Sequence, residues 1–120
     1  MTPADQALDF MANGSTDPDA RPKIATMNWY GNDAMWVILP PQGEIVGRLF
    51  DKIPPYRMKY GTVLWEARRL DGSTVIRPQA MGPAGLGFQA GGPGFPDRGC
   101  WEVTYTLDGQ DPLRFVLSVR

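Results

Sequence analysis

One cysteine and no histidine stand in this chain, and together they narrow its chemistry sharply. Histidine is the side chain best suited to proton transfer near neutral pH and is the commonest transition-metal ligand. Without it, Cys100 needs a cationic neighbour to become a nucleophilic thiolate, and Arg98 or an arginine on an adjacent strand is the neighbour on offer. We therefore read Cys100 as a small, partly covered structural residue. Six methionines raise the question of a soft Cu(I) site. Met1, Met11, Met27, Met35, Met58 and Met81 lie far apart, with no Met-x-Met or Cys-x-x-Met spacing, so core filling is the expected role.

The carboxylates are scattered as well. Asp5, Asp9, Asp17, Asp19, Asp33 and Asp51 make no calcium loop of alternating acids closed by a glutamate. Glu44, Glu66 and Glu102 each fall on the polar face of an expected strand. Two of them meeting across strands would resemble a glycosidase dyad; the plainer expectation is cross-strand pairing with Arg48, Arg68, Arg69 or Arg114. Gly91-Gly92-Pro93-Gly94 has the composition of a phosphate loop but not its setting, because Phe95-Pro96 and another strand follow where a helix N-terminus is needed. No catalytic residue, cofactor site or metal site is expected, and the chain is not read as an enzyme.

The elements that hold these residues are strands. Trp101, Val103, Tyr105 and Leu107 alternate with Cys100, Glu102, Thr104 and Thr106; Leu113, Phe115, Leu117 and Val119 alternate with Arg114, Val116 and Ser118. Period two means one apolar face per strand, and Asp108-Gly109 supplies the positive φ of a tight hairpin connection. Thr62–Leu70 is a further strand, with Val63, Trp65 and Ala67 on one side and Glu66 and Arg68 on the other. It leads through Asp71-Gly72 to a partner over Ser73–Ile76. Ala34–Leu39 is nearly continuously apolar and reads as a central strand, turned by Pro40-Pro41-Gln42-Gly43 into a partner over Glu44–Leu49. Lys23–Trp29 is expected to be a first strand, Asp51–Gly61 a loop crossing between sheets, and Leu86–Ala90 a short strand. Ahead of these, Ala4–Ala12 has the pattern of a short helix within a polar arm.

These elements make one domain of 120 residues, long enough to bury a single core. Its 14 glycines and 12 prolines favour short strands between turns over long helices. A net charge of −1 gives no field for nucleic acid or anionic lipid. No run approaches the roughly 20 apolar residues of a membrane helix. The beginning has neither the basic segment nor the apolar core of a signal peptide. An extracytoplasmic home, in the periplasm or at the cell surface, would then require a leader already removed; otherwise the expectation is cytoplasmic. The expected fold class is all-β: an immunoglobulin-like antiparallel β-sandwich of about seven strands over 24–120, with a flexible or short-helical N-terminal arm over 1–23.

From Trp29 onward the chain resembles a group of short, largely uncharacterised bacterial proteins, exported or lipid-anchored, that carry an immunoglobulin-like sandwich. The matching pieces are Trp29-Tyr30-Gly31-Asn32-Asp33-Ala34-Met35-Trp36-Val37, Glu66-Ala67-Arg68-Arg69-Leu70-Asp71-Gly72, Gly87-Phe88-Gln89, Phe95-Pro96 and Phe115-Val116-Leu117-Ser118-Val119. The most specific is Gly99-Cys100-Trp101-Glu102-Val103-Thr104. The resemblance implies the fold and export, and no catalytic motif. The Asp51–Gly61 crossing lacks the tryptophans expected of that group, and Met81–Gly85 is unusually rich in glycine.

Aromatic residues are the remaining functional signal. Trp65 and Trp101 are expected to anchor the two sheets. Trp29, Tyr30, Trp36, Tyr56, Tyr60, Phe88 and Phe95 fall near strand ends or loops and are the candidate partner-binding residues, since those left outside the core would form an apolar contact patch. The sequence is thus read as a non-catalytic binding or assembly module, an accessory subunit or interaction domain of the bacterial cell envelope with a protein partner. The alternative is a carrier of a small ligand, glycan or metal.

Overall fold

A computed structural model of the chain describes Leu8, Ala12 and residues 17–45, 53–81, 85–89 and 94–120. Among these residues nine strands form two sheets, preceded by a short helix: α1 (Ala20–Ala25), β1 (Trp29–Gly31), β2 (Met35–Ile38), β3 (Glu44–Ile45), β4 (Tyr56–Arg57), β5 (Val63–Arg69), β6 (Val75–Ala80), β7 (Gly87–Phe88), β8 (Gly99–Leu107) and β9 (Leu113–Val119). The larger sheet has the order β3-β9-β8-β5-β6 and the smaller β1-β2-β4-β7. The class is all-β and sandwich-like.

The larger sheet follows the sequence alternation closely. In β8 the side chains of Trp101, Val103, Tyr105 and Leu107 are buried, in β9 Leu113, Phe115, Leu117 and Val119, and in β5 Val63, Trp65 and Ala67. Each set lies on one face because pairing is in register, from Gly99↔Val119 to Tyr105↔Leu113 on one side of β8 and from Val63↔Leu107 to Arg69↔Trp101 on the other. Together with Met35, Val37 and Ala34 from the region of β2, they form the main core between the sheets. Tyr105 meets the Phe115 ring edge-on at 5.3 Å and donates its hydroxyl hydrogen to the Ile53 carbonyl at 2.8 Å. Burial pushes the Tyr105 phenol well above its ordinary value.

The β8–β9 connection runs over 108–112. Gly109 supplies the positive φ, at 73°, within a turn closed by the Gln110 amide donating to the Leu107 carbonyl. Asp71 secures the other end of β8. Its carboxylate accepts the Cys100 amide at 3.1 Å and the Arg69 Nε at 2.9 Å, and these two bonds hold its pKa below the usual carboxylate range.

Several expectations are corrected. Lys23–Trp29 is not a strand: α1 occupies Ala20–Ala25 and straddles the expected end of the arm. Pro22 is tolerated there because the first helical turn has no internal partner for its amides. Lys23 Nζ lies 2.7 Å from the Asp17 carboxylate, which tethers the helix to the turn before it. Glu44 does not return along β2. It enters β3, which pairs parallel with β9 in the other sheet, so the sandwich is not wholly antiparallel. Asp51–Gly61 is more than a crossing loop, because Tyr56–Arg57 forms β4 between β2 and β7. Trp65 and Trp101 both belong to the larger sheet. Of the expected helix over 4–12, only Leu8 and Ala12 are described; both are helical and Leu8 is buried. Most of Gly91–Gly94 lies outside the described residues.

Candidate functional site

Register alone sorts the smaller sheet into two faces. Cross-strand partners share a face, so Tyr30, Val37, Met35 and Arg57 point one way, and Trp29, Ile38, Trp36, Tyr56 and Phe88 the other. The first set faces the main core. The second makes an aromatic face turned away from the larger sheet, with its own small cluster of Trp29 and Trp36 packed by Ile24, Ile38, Tyr56 and Met58.

Local structure holds this face in place. Gly31 lies beside Trp36, where a Cβ would come within 2.6 Å of the indole ring, so glycine is what lets the tryptophan lie flat across β1. Trp29 is roofed by α1: its Nε1 donates to the Ile24 carbonyl at 2.6 Å. Phe88 stacks on Trp29 with ring centroids 6.2 Å apart, and Tyr56 meets Phe88 edge-on at 4.8 Å. Burial raises the Tyr56 phenol above its ordinary value. At the β7 end Phe88 remains 53% exposed.

The seven aromatic candidates thus separate. Trp29, Trp36, Tyr56 and Phe88 come together on one face. Trp29 and Trp36 are buried and form its floor, while Phe88 and part of Tyr56 form its accessible surface. Tyr30 is half-buried against the main core, and Phe95 is buried in it against Trp101 at 5.2 Å. Tyr60 is 74% exposed in the β4–β5 connection.

Arg57 is the residue sequence reasoning missed. It points into the interior at 1% exposure, donates from Nη1 to Gln89 Oε1 at 3.1 Å, and donates from Nη2 to the carbonyls of Lys59 and Gly61. It therefore ties β4 to the segment after β7 and to the loop before β5. Nothing in Tyr56-Arg57-Met58 marks this arginine as buried, because a long polar side chain in a proline-bounded segment is normally solvated.

The remaining polar groups lie elsewhere. Glu66 and Glu102 line one groove on the outer face of the larger sheet, with Arg68, Val75, Thr104 and Arg114. Glu102 is engaged by Arg68, Nε to Oε1 at 3.0 Å, and Glu44 pairs with Arg120 at 3.2 Å. Cys100 is half-buried on the same face and free. At one end of the sandwich a hollow of about 210 Å³ is lined by Asn32, Asp33, Lys59, Gln110 and Asp111. There Asn32 bonds the Ala34 and Met35 amides and the Asp111 carbonyl, and Lys59 bonds Gln110. Among the described residues no three His, Cys, Asp or Glu side chains gather as a metal site, and no helix is long and apolar enough to cross a membrane.

In comparisons with known proteins, no family model, no curated protein and no solved structure matches this chain. The functional argument therefore rests on the residues themselves.

Proposed function

We propose that this domain is a non-catalytic binding or assembly module, an immunoglobulin-like accessory subunit of the bacterial cell envelope, that meets a protein partner through the aromatic face of its smaller sheet. One observation carries the reading. Among the described residues the inner side of that sheet is used by the core, and its outer side carries α1 over Trp29 while Phe88 stays exposed. Phe88 and Tyr56 present an apolar surface on a rigid tryptophan floor, the composition and backing of a contact hot spot.

The immunoglobulin-like assignment draws support from strand order. The run β9-β8-β5-β6 corresponds to the G-F-C-C′ order of a variable-type sheet, β4 beside β7 to its B-E pair, and Trp65 to the core tryptophan of strand C. Strand-edge pairing with a partner is the weaker route. β6, the longest edge strand, carries Pro78 and a register shift opposite Glu66, and both features discourage addition of another strand.

The test is comparative capture from native bacterial extract, with wild type, Phe88→Ser and Val116→Ser. Val116 is an exposed apolar residue on the opposite sheet and controls for general stickiness. The reading expects a stoichiometric protein retained by wild type and Val116→Ser and lost with Phe88→Ser. Equal capture by all three, or none by any, would overturn it.

A further inference from the structure

The outer face of the larger sheet is complementary to itself. Strand register places Val116, Glu102, Arg68 and Val75 in one row, on β9, β8, β5 and β6 in turn. A twofold axis parallel to the strands, midway between β8 and β5, exchanges the two inner strands and the two outer ones. Across that axis Glu102 meets the Arg68 of a second copy, and Val116 meets its Val75.

The neighbouring rows obey the same operation. On one side the Leu70 amide donates to the Cys100 carbonyl, and the axis lays the second copy's Leu70 over Cys100. On the other side Arg114, Thr104 and Glu66 form a row. There the second copy's Glu66 falls over Thr104, one strand spacing of about 4.8 Å from Arg114. Among the described residues neither Glu66 nor Arg114 makes an ion pair or side-chain hydrogen bond. Arg68 uses only its Nε on Glu102, at 3.0 Å, which leaves two further nitrogens of the guanidinium fork for a second carboxylate. Leu70, Val75 and Val116 are all exposed on this face, and each would lose water in the contact.

We propose that two copies of this chain pair through this face, sheet against sheet, about the axis between β8 and β5. An unrelated partner gives four strands no reason to complement one another in charge and apolar position. A second copy does, because at a twofold contact residue i touches j and j touches i. The strands of the two copies stay aligned, as in face-to-face sheet packing. Four strands about 4.8 Å apart over about seven residues offer roughly 450 Å² per copy, against roughly 800 Å² in a standard interface. The dimer is therefore weak, with a dissociation constant of about 0.1 mM. The contact lies on the far side of the sandwich from the aromatic face and does not rest on that reading.

The test is sedimentation velocity of the full chain from about 10 µM to about 1 mM, a range that brackets the expected dissociation constant. Wild type and Phe88→Ser should dimerise alike. Glu66→Arg and Arg114→Glu should each weaken dimerisation about tenfold or more, because each sets like charges against one another across the axis. Mixed in equal amounts, the two variants should form a heterodimer, since their reversed charges then match. A variant that had failed to fold could not be rescued in this way. A wild type monomeric at about 1 mM, dimerisation unchanged by either reversal, a mixture that stays monomeric, or a dimer lost with Phe88→Ser would overturn the proposal.

Discussion

The two sheets solve the same packing problem with different sequences. In the larger sheet, β5, β8 and β9 are 7, 9 and 7 residues long, apolar on one face and polar or mixed on the other. In the smaller sheet no strand exceeds 4 residues, and tryptophans lie on the face turned away from the core. A long ladder with one wet face is stable from its own pattern. A short ladder is not; it depends on what lies above and below it. Below the smaller sheet is the main core, with a buried arginine tying its strands to adjoining segments. Above it are α1 and, at the open end, the surface assigned to a partner. The larger sheet is scaffold, and the smaller one is supported by it and carries the surface proposed for contact.

The largest effect should come from emptying the scaffold. Trp101 is fully buried against Phe95 and donates its indole N–H to the Asp97 carbonyl at 3.2 Å. Trp101→Ala should lower unfolding free energy by about 4 kcal/mol in a urea titration. A loss under about 1 kcal/mol would mean that the larger sheet is not where stability resides.

Next comes the seam of the smaller sheet. Arg57→Met keeps a long side chain but strips the guanidinium from Gln89 Oε1 and from two carbonyls. Hydrogen bonds from a charged group contribute about 1.5–3 kcal/mol each; the one to Gln89 is buried and the two to carbonyls are part-buried, and their loss is partly offset here by removing a buried cation. A net loss of about 3 kcal/mol is expected, with a blue-to-red change in tryptophan emission as Trp29 and Trp36 become wetted. A variant as stable as wild type would show that Arg57 does not hold the sheet.

The smallest effect is an alkaline pH dependence led by Tyr105 in the larger sheet, with a lesser share from Tyr56, whose phenol burial also raises. The folded state keeps the Tyr105 phenol protonated above the ordinary phenol value of about 10. Its contribution is complete below that value and is lost as pH rises from there through the raised folded pKa, because the unfolded chain gives up the proton first. Thermal melts should therefore fall off above about pH 10. Tyr105→Phe should flatten that decline while costing about 1 kcal/mol at neutral pH for the lost bond to Ile53. An unchanged slope would show that another group sets the alkaline limit.

The contrast between the sheets also explains what could be read from the sequence. β5, β8 and β9 were legible because alternation survives wherever one face stays wet. The hairpin at Gly109 was legible because its residue types are those a positive φ requires. Ala34–Leu39 could be recognised as a strand, but not which of its faces was the core, since Trp36 and Met35 are buried on opposite sides. Glu44–Ile45 was assigned to the wrong partner because the parallel contact with β9 joins residues about seventy positions apart. The second half of α1, Lys23–Ala25, reads as the start of a strand because so few residues carry little periodicity and Pro22 masks the helical start. At the site, aromatic type marks Trp29, Trp36, Tyr56 and Phe88 but does not separate them from Tyr30, which register turns to the other face, or from Phe95, which a segment outside the paired strands buries against Trp101. The burial of Arg57 arises from strand pairing and has no local signature.

The central claim, that the larger sheet carries the stability and the smaller one the surface, is tested most directly by native-state amide hydrogen exchange followed residue by residue. Amides inside β5, β8 and β9 should exchange only through global unfolding, with one shared free energy, while those of β1, β4 and β7 should exchange through a partial opening several kcal/mol lower. Equal protection in the two sheets, or stronger protection in the smaller, would contradict the account.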